Sequence, residues 1–172
     1  MPSRRVGRPL WISLALSFAC ACSGSQPAAV APALSMLPVS VNEVMVAWID
    51  PSSHELWDVE REGQAPATES DWQRVERHAT QLAAAGTVIA LGGTGQQDPA
   101  WIKSPDWKKY SQELTKAGMA ARNAAHTRSF DALVSANSEL VQACENCHQA
   151  FKPDLPTEGR THQTALKLGR DP

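Results

Sequence analysis

Between residues 39 and 152 the apolar side chains recur at steps of three and four, and no stretch shows the strict alternation of a half-buried strand. Val41, Val44, Met45, Trp48 and Ile49 form the stripe of a first amphipathic helix. Asp50-Pro51 interrupts it, because proline lacks a donor and crowds the preceding turn, so a kink or break is predicted there. A further turn or two runs through Leu56 and Trp57 to about Glu60, followed by a loop over 61–67. Ser70-Asp71-Trp72-Gln73 has the form of a capping box and opens a second helix, with a seam of Trp72, Val75, Ala79, Leu82, Gly86 and Ile89. Gly92-Gly93 stops it. The third helix starts at Ser104-Pro105-Asp106, a cap followed by proline at the first helical position, and carries Trp107, Tyr110, Leu114, Ala117 and Ala121. The fourth starts near Ser129 and runs Phe130, Leu133, Val134, Asn137, Val141, Cys144, His148, Phe151, with Pro153 ending it. Four such segments with modest connections predict an all-α fold, an antiparallel four-helix bundle over 39–152.

The flanks read differently. Arg4, Arg5 and Arg8 precede an apolar run from Leu10 to Ala19 that is short for a bilayer span, which predicts a signal peptide over 1–22. Small residues around Cys20 and Cys22 resemble the lipobox of bacterial lipoproteins. Cys22 fits better, since Ala19, Cys20 and Ala21 precede it, although the usual Leu three places upstream is missing. Ordinary cleavage near Ala21 is the alternative. Residues 23–38, rich in Pro and Ala and poor in charge, read as a tether, and 153–172 as a polar tail.

Composition sharpens this only a little. With 42% hydrophobic and 20% charged residues the chain is an ordinary globular one, and Tyr and Phe are scarce at 1 and 3, which favours helix over strand. Without the three leader arginines, 13 basic residues face 18 acidic ones, a net of −5, and nucleic acid is excluded as a partner. Gly92-Gly93-Thr94-Gly95 is not a phosphate loop, since no strand precedes it and no Lys-Ser/Thr follows; it reads as a flexible connection.

The chemistry lies in Cys144-Glu145-Asn146-Cys147-His148. This is C-x-x-C-H, the attachment pattern of a c-type haem. Two thiols add to the two vinyl groups of the porphyrin, and the adjacent imidazole takes the iron. Positions i, i+3 and i+4 share one helix face, so Cys144, Cys147 and His148 can address one flat ring. A zinc site would need four ligands in tetrahedral array, and a thioredoxin-like pair would open a helix after a strand. Small seam residues (Ala79, Gly86, Ala117, Ala121) leave room for a flat cofactor between helices. Export suits the motif, because covalent attachment acts on an unfolded exported chain.

The sequence resembles the class II c-type cytochromes, the cytochrome c′ group and its low-spin relatives. The resemblance rests on a haem motif near the C-terminus and on its extension, Cys144-x-x-Cys147-His148-x-x-Phe151-Lys152, and covers roughly 39–152 by helix order. It implies one haem c near an end of the bundle, His148 as axial iron ligand, and Phe151 and Lys152 in the haem environment. In low-spin members a Met on the first helix is the sixth ligand, and Met45 stands in that region; in cytochromes c′ an apolar residue leaves the position vacant. The basic residue often found a turn earlier is absent, Val41 standing there, and Met45 as plain core filler is the competing reading.

Other candidates rank lower. His78 lies one residue off its seam, Met119 off its stripe, and Met36 in the tether; His54 follows the proline in a polar setting, and His126 sits at a helix end. Trp48, Trp57, Trp72 and Trp107 read as core, with one or two available to wall a pocket. The expected function is single-electron transfer, not enzymatic turnover, in the bacterial periplasm, soluble or anchored to the membrane through a lipid on Cys22. Its partners would be other redox proteins, and a homodimer is compatible with the family. The alternatives are a five-coordinate binder of nitric oxide or carbon monoxide, and a non-haem module using the CxxC pair.

Overall fold

The computed structural model describes residues 36–154; the expected signal peptide with Cys22, most of the tether and most of the tail lie outside the described residues. Within them the chain is helical, with no strand. Ser40 caps the first helix: its Oγ accepts from the Glu43 N–H at 3.1 Å, and the Glu43 carboxylate accepts from the Ser40 N–H at 2.8 Å. Helix α1 (Val41–Val44) then passes into a π-helical turn (Met45–Ile49) and on into α2 (Asp50–Trp57), which a 3-10 turn (Asp58–Glu60) closes. The helix is therefore not broken at Asp50-Pro51. Pro51 has no N–H, and its ring would press on the carbonyl four residues back. The helix widens instead, and the Asp50 N–H reaches the Met45 carbonyl five residues back.

Helix α3 (Glu69–Ile89) is capped by Thr68 and not by Ser70. Thr68 Oγ1 accepts from the Asp71 N–H at 3.2 Å, and Asp71 Oδ2 accepts from the Thr68 N–H at 3.0 Å. The two overlapping Ser/Thr-x-x-acceptor patterns are equivalent on paper; the shorter Asp side chain wins by reaching back within one turn. The expected seam is buried from Val75 to Ile89. Helix α5 (Pro105–His126) starts as expected, with Ser104 Oγ accepting from Asp106. Helix α6 (Phe130–Phe151) follows Ser129, and the tight turn before it is made by Arg128 at φ +52°. The Arg128 guanidinium also ties this turn to Glu69 in the first turn of α3.

The small residues do not hold α3 and α5 apart. A methyl group added at Gly86 would sit 2.3 Å from Thr115 Oγ1 and 2.4 Å from the Ser111 carbonyl, and one at Gly118 would sit 2.4 Å from the Ala83 nitrogen. Ala79, Ala117 and Ala121 are buried along the same seam. The expected spare room is thus consumed by backbone-to-backbone packing, because only glycine and alanine let two helices come this close. Helix α2 lies on the other flank of α3, with Ser52 Oγ donating to Gln81 Oε1 at 2.9 Å and Arg74 3.6 Å from Glu55, while α6 packs on α5.

The glycine-rich connection after α3 is built into the fold and is not a loose link. Gly92, Gly93 and Gly95 are buried, and Gly92 adopts φ +68°. Leu37 donates to the Gly92 carbonyl and Thr94 to that of Val39, so ordered structure starts before residue 39. Asp98, which opens the short helix α4 (Asp98–Trp101), is 2% exposed and accepts from the N–H groups of Gly95 at 3.0 Å and Val41 at 2.9 Å. One carboxylate thereby ties the start of α1 to the far end of α3. Nothing in the sequence pattern singled it out.

Gly86→Ala should lower stability by about 1–3 kcal/mol through overpacking, against the roughly 1 kcal/mol gain that helix propensity alone would give; urea denaturation decides the sign. A second expectation concerns pH. Hydrogen bonds from Ser40 to Glu43, from Thr68 to Asp71 and from Arg128 to Glu69 hold these carboxyls below their ordinary values of 4.5, 3.8 and 4.5. Groups lowered on folding stabilise the fold above their unfolded values and lose that contribution as pH falls through the folded ones. Thermal melts should therefore fall off below about pH 4.5, and Glu43→Gln with Asp71→Asn should flatten part of that decline.

Candidate functional site

Cys144, Cys147 and His148 lie on the last two turns of α6, where i, i+3 and i+4 fall on one strip. Both cysteines are free thiols, half-buried and packed against the core together with Met45, Trp48, Trp57, Trp101 and Phe151. Each keeps some surface in solvent, yet burial pushes both thiols up to about 12. The negative neighbours add to this: Cys147, Glu145 and Asp50 around Cys144, and Glu113 beside Cys147. Asp50 belongs to α2 and Glu113 to α5. His148 is half-buried, and its carbonyl accepts from the Lys152 N–H at 2.7 Å where α6 ends.

The buried face of α6 is rotated slightly from the expected stripe. Leu133, Ala136, Asn137, Leu140 and Ala143 are buried, while Phe130 and Val141 are exposed at 36% and 38%. The rotation brings Cys147 to the core beside Cys144. Phe151 closes the strip in an aromatic cluster: its ring centroid is 5.0 Å from Trp107, 6.0 Å from Trp101 and 6.3 Å from Tyr110, all edge-on. Trp101 stacks on Trp107 at 5.1 Å, and Trp107 Nε1 donates to the Ile89 carbonyl. The Lys152 ammonium lies 5.4 Å from the centroid of the Trp101 ring. Phe151 and Lys152 are therefore placed by the start of α5 and by α4, beside the cysteine strip.

One buried amide sets the level of α2 against α6. Asn137, 2% exposed, donates through Nδ2 to the Leu56 carbonyl and to Glu60 Oε1, both at 2.8 Å. The two elements run in opposite directions here, since Val41 is tied to Asp98 beside α4 and Phe151 abuts Trp101 within α4. Met45 lies eleven residues before Leu56, and His148 eleven after Asn137. At about 1.5 Å per residue, each is roughly 16 Å from the crosslink towards the same end. Met45 is half-buried and packed on the core.

His54 departs from its expected polar setting. It is 8% exposed, with Nε2 3.6 Å from Asp50 Oδ1 and its ring edge-on to Trp57 at 5.3 Å. His78 is half-buried, with Nδ1 covered. His126 is exposed at the end of α5, with Nδ1 3.6 Å from Glu76 Oε1. Met119 and Met36 are exposed at 39% and 54%. Trp107 is buried, and Trp48, Trp57 and Trp72 pack half-buried on the core.

Among the described residues no group of three or more His, Cys, Asp or Glu side chains could hold a metal ion, so the donor set for a tetrahedral zinc site is missing there. A groove between α3 and α5, lined by Gln73, Arg77, Thr80, Met119 and Arg122 among others, shares no residue with the cysteine strip. Among the described residues no helix is long and apolar enough to cross a membrane. Comparisons with protein-family models, curated proteins and solved structures find no match.

The raised thiol values give a direct expectation. A shift from the ordinary 9.0 to about 12 leaves roughly a thousandfold fewer thiolates at neutral pH. In the folded protein with free thiols both cysteines should resist alkylation by iodoacetamide and react at the ordinary rate once urea unfolds α6. Fast alkylation of the folded chain would contradict the burial described.

Proposed function

We propose that this chain is a monohaem c-type cytochrome of the class II kind, an antiparallel four-helix bundle that carries single electrons in the bacterial cell envelope. The observation that carries the reading is the strip on α6, two free thiols one turn apart with an imidazole next to the second, seated against the core. The donor chemistry fits the group. Cys144 and Cys147 would hold haem c through thioethers, and His148 would ligate its iron. Bound there, the haem supplies reversible one-electron chemistry, with axial ligands, burial and neighbouring charges setting the potential.

The protein's own residues perform the rest. Leu140, Ala143 and the aromatic cluster around Phe151 supply apolar surroundings that exclude water. Asp50 and Glu113 bring negative charge near the strip, which favours the more oxidised, more positive state of a bound iron centre. Met45, half-buried against the same core, is the sixth ligand in this reading; a thioether with an imidazole as its partner ligand raises the potential. The partners are other redox proteins met through small transient surfaces, in the periplasm after export. A lipid on Cys22 would keep the domain at the membrane.

Absorption spectra of the purified holoprotein in both oxidation states, with and without carbon monoxide, test this. A six-coordinate low-spin spectrum insensitive to the gas, turned high-spin by Met45→Ala, is expected. A high-spin ferric form that binds carbon monoxide rapidly once reduced would replace electron transfer by gas binding at five-coordinate iron. Loss of all haem signal on denaturation and solvent extraction would sink both readings.

A further inference from the structure

Charge is unevenly spread over this acidic chain. Residues 36–154 hold ten Lys and Arg against sixteen Asp and Glu. Five of the ten, Arg77, Lys108, Lys109, Lys116 and Arg122, belong to α5 or to the groove between α5 and α3, where they meet three acids, Glu76, Asp106 and Glu113. The other five share the rest of the described chain with thirteen acids. Two of the three acids on the α5 side are partly neutralised: Lys109 Nζ lies 3.9 Å from Glu113, and Arg122 lies 4.0 Å from Glu76. Arg77, Lys108 and Lys116 are exposed and make no ion pair among the described residues.

The same face has an apolar spot. Lys108, Gln112, Lys116, Met119 and Asn123 recur at steps of four, four, three and four, and all are exposed. Met119 is 39% exposed and lines the groove. Ala83 and Thr115, which line it too, are the residues that meet Gly118 and Gly86 in the tight seam, so the groove is built on stiff backbone and docking has only side chains to order. Helix α5 also reaches the candidate site: Lys109 Nζ lies 5.1 Å from the centroid of Tyr110, whose ring packs on Phe151 at 6.3 Å.

We propose that the outer face of α5, with the groove it shares with α3, is the docking surface for a redox protein that presents carboxylates around a small apolar spot. The inference rests on the reading of the chain as a cytochrome, and adds where the partner sits and what charge it carries. A cationic rim around an adaptable thioether matches such a partner, while the acidic remainder of the chain repels it. An anionic membrane is the poorer occupant. The apolar stripe of α5, with Trp107, Leu114, Ala117 and Ala121, is buried in the bundle and is not free to enter a bilayer.

Holoprotein in three forms tests this: wild type, Lys108→Glu with Lys116→Glu, and the charge-matched control Arg61→Glu with Lys103→Glu. All four positions are exposed. The probe is reduced flavodoxin, an acidic one-electron donor, and the readouts are its second-order rate of electron transfer and the sites at which carbodiimide cross-links it. Reduction potentials are measured alongside, so that driving force can be factored out. At about 20 mM salt the α5 pair should slow the reaction roughly tenfold or more and the control less than about threefold, with the gap closing by about 0.5 M salt. Cross-links should join Lys108, Lys109 or Lys116. Equal slowing in both variants, slowing in neither, or cross-links at Lys103 or Lys152 instead overturns the inference. So does binding to phosphatidylserine vesicles, or self-association in sedimentation, that the α5 pair abolishes while the flavodoxin rate is unchanged; these give the surface to a membrane or to a second copy. Cross-linking needs no haem. A chain without haem fails as a cytochrome, and the redox partner fails with it, whereas misplaced cross-links on a chain that holds haem overturn the surface alone.

Discussion

The closeness of α3 and α5 is the constraint on which the remaining architecture depends. Their backbones meet at Gly86 and Gly118, where not even a methyl group fits. Such a seam gains little from side-chain burial and much from dispersion between two regular backbones, so it tolerates almost no substitution. It makes a stiff central pair, with α2 laid against one member and α6 against the other. The outer two are then brought to register by a single buried amide, Asn137. Replacing that amide with an apolar group would leave the Glu60 carboxylate without its buried partner, which explains a polar residue in an otherwise apolar stripe.

Much of this was legible in the sequence. The three- and four-residue spacing of Val75, Ala79, Leu82, Gly86 and Ile89, or of Trp107, Leu114, Ala117 and Ala121, depends only on the helical period and translates directly into a buried face. Ser104 and Ser129 were readable as caps because nothing nearby competes for the role. Thr68 was missed because Ser70 offers the same local pattern. The π turn was missed because a proline in a stripe reports a lost hydrogen bond but not how the chain absorbs the loss.

The candidate site divides the same way. The order Cys144, Cys147, His148 is a one-dimensional signal, and the structure keeps the three on one strip of α6. The burial of His54, the pinning role of Asp98 and the function of the small residues are pairwise facts between distant segments. Spacing along one helix does not encode how near the next one lies. Alanine and glycine mean either an open pocket or a tight contact, and only the position of Thr115 and Ala83 distinguishes the two.

The covered sulfurs of Cys144 and Cys147 carry a consequence for the order of assembly. A thiol reacts as its thiolate, and docking of α6 suppresses that form. The helix that bears the motif is the last among the described residues, so the α3–α5 pair is synthesised before it. Covalent chemistry on those sulfurs and closure of the fold are therefore competing fates of the same segment. Whichever comes first decides the product: a chain modified early can fold around what it carries, and a chain that folds early has hidden its own thiols.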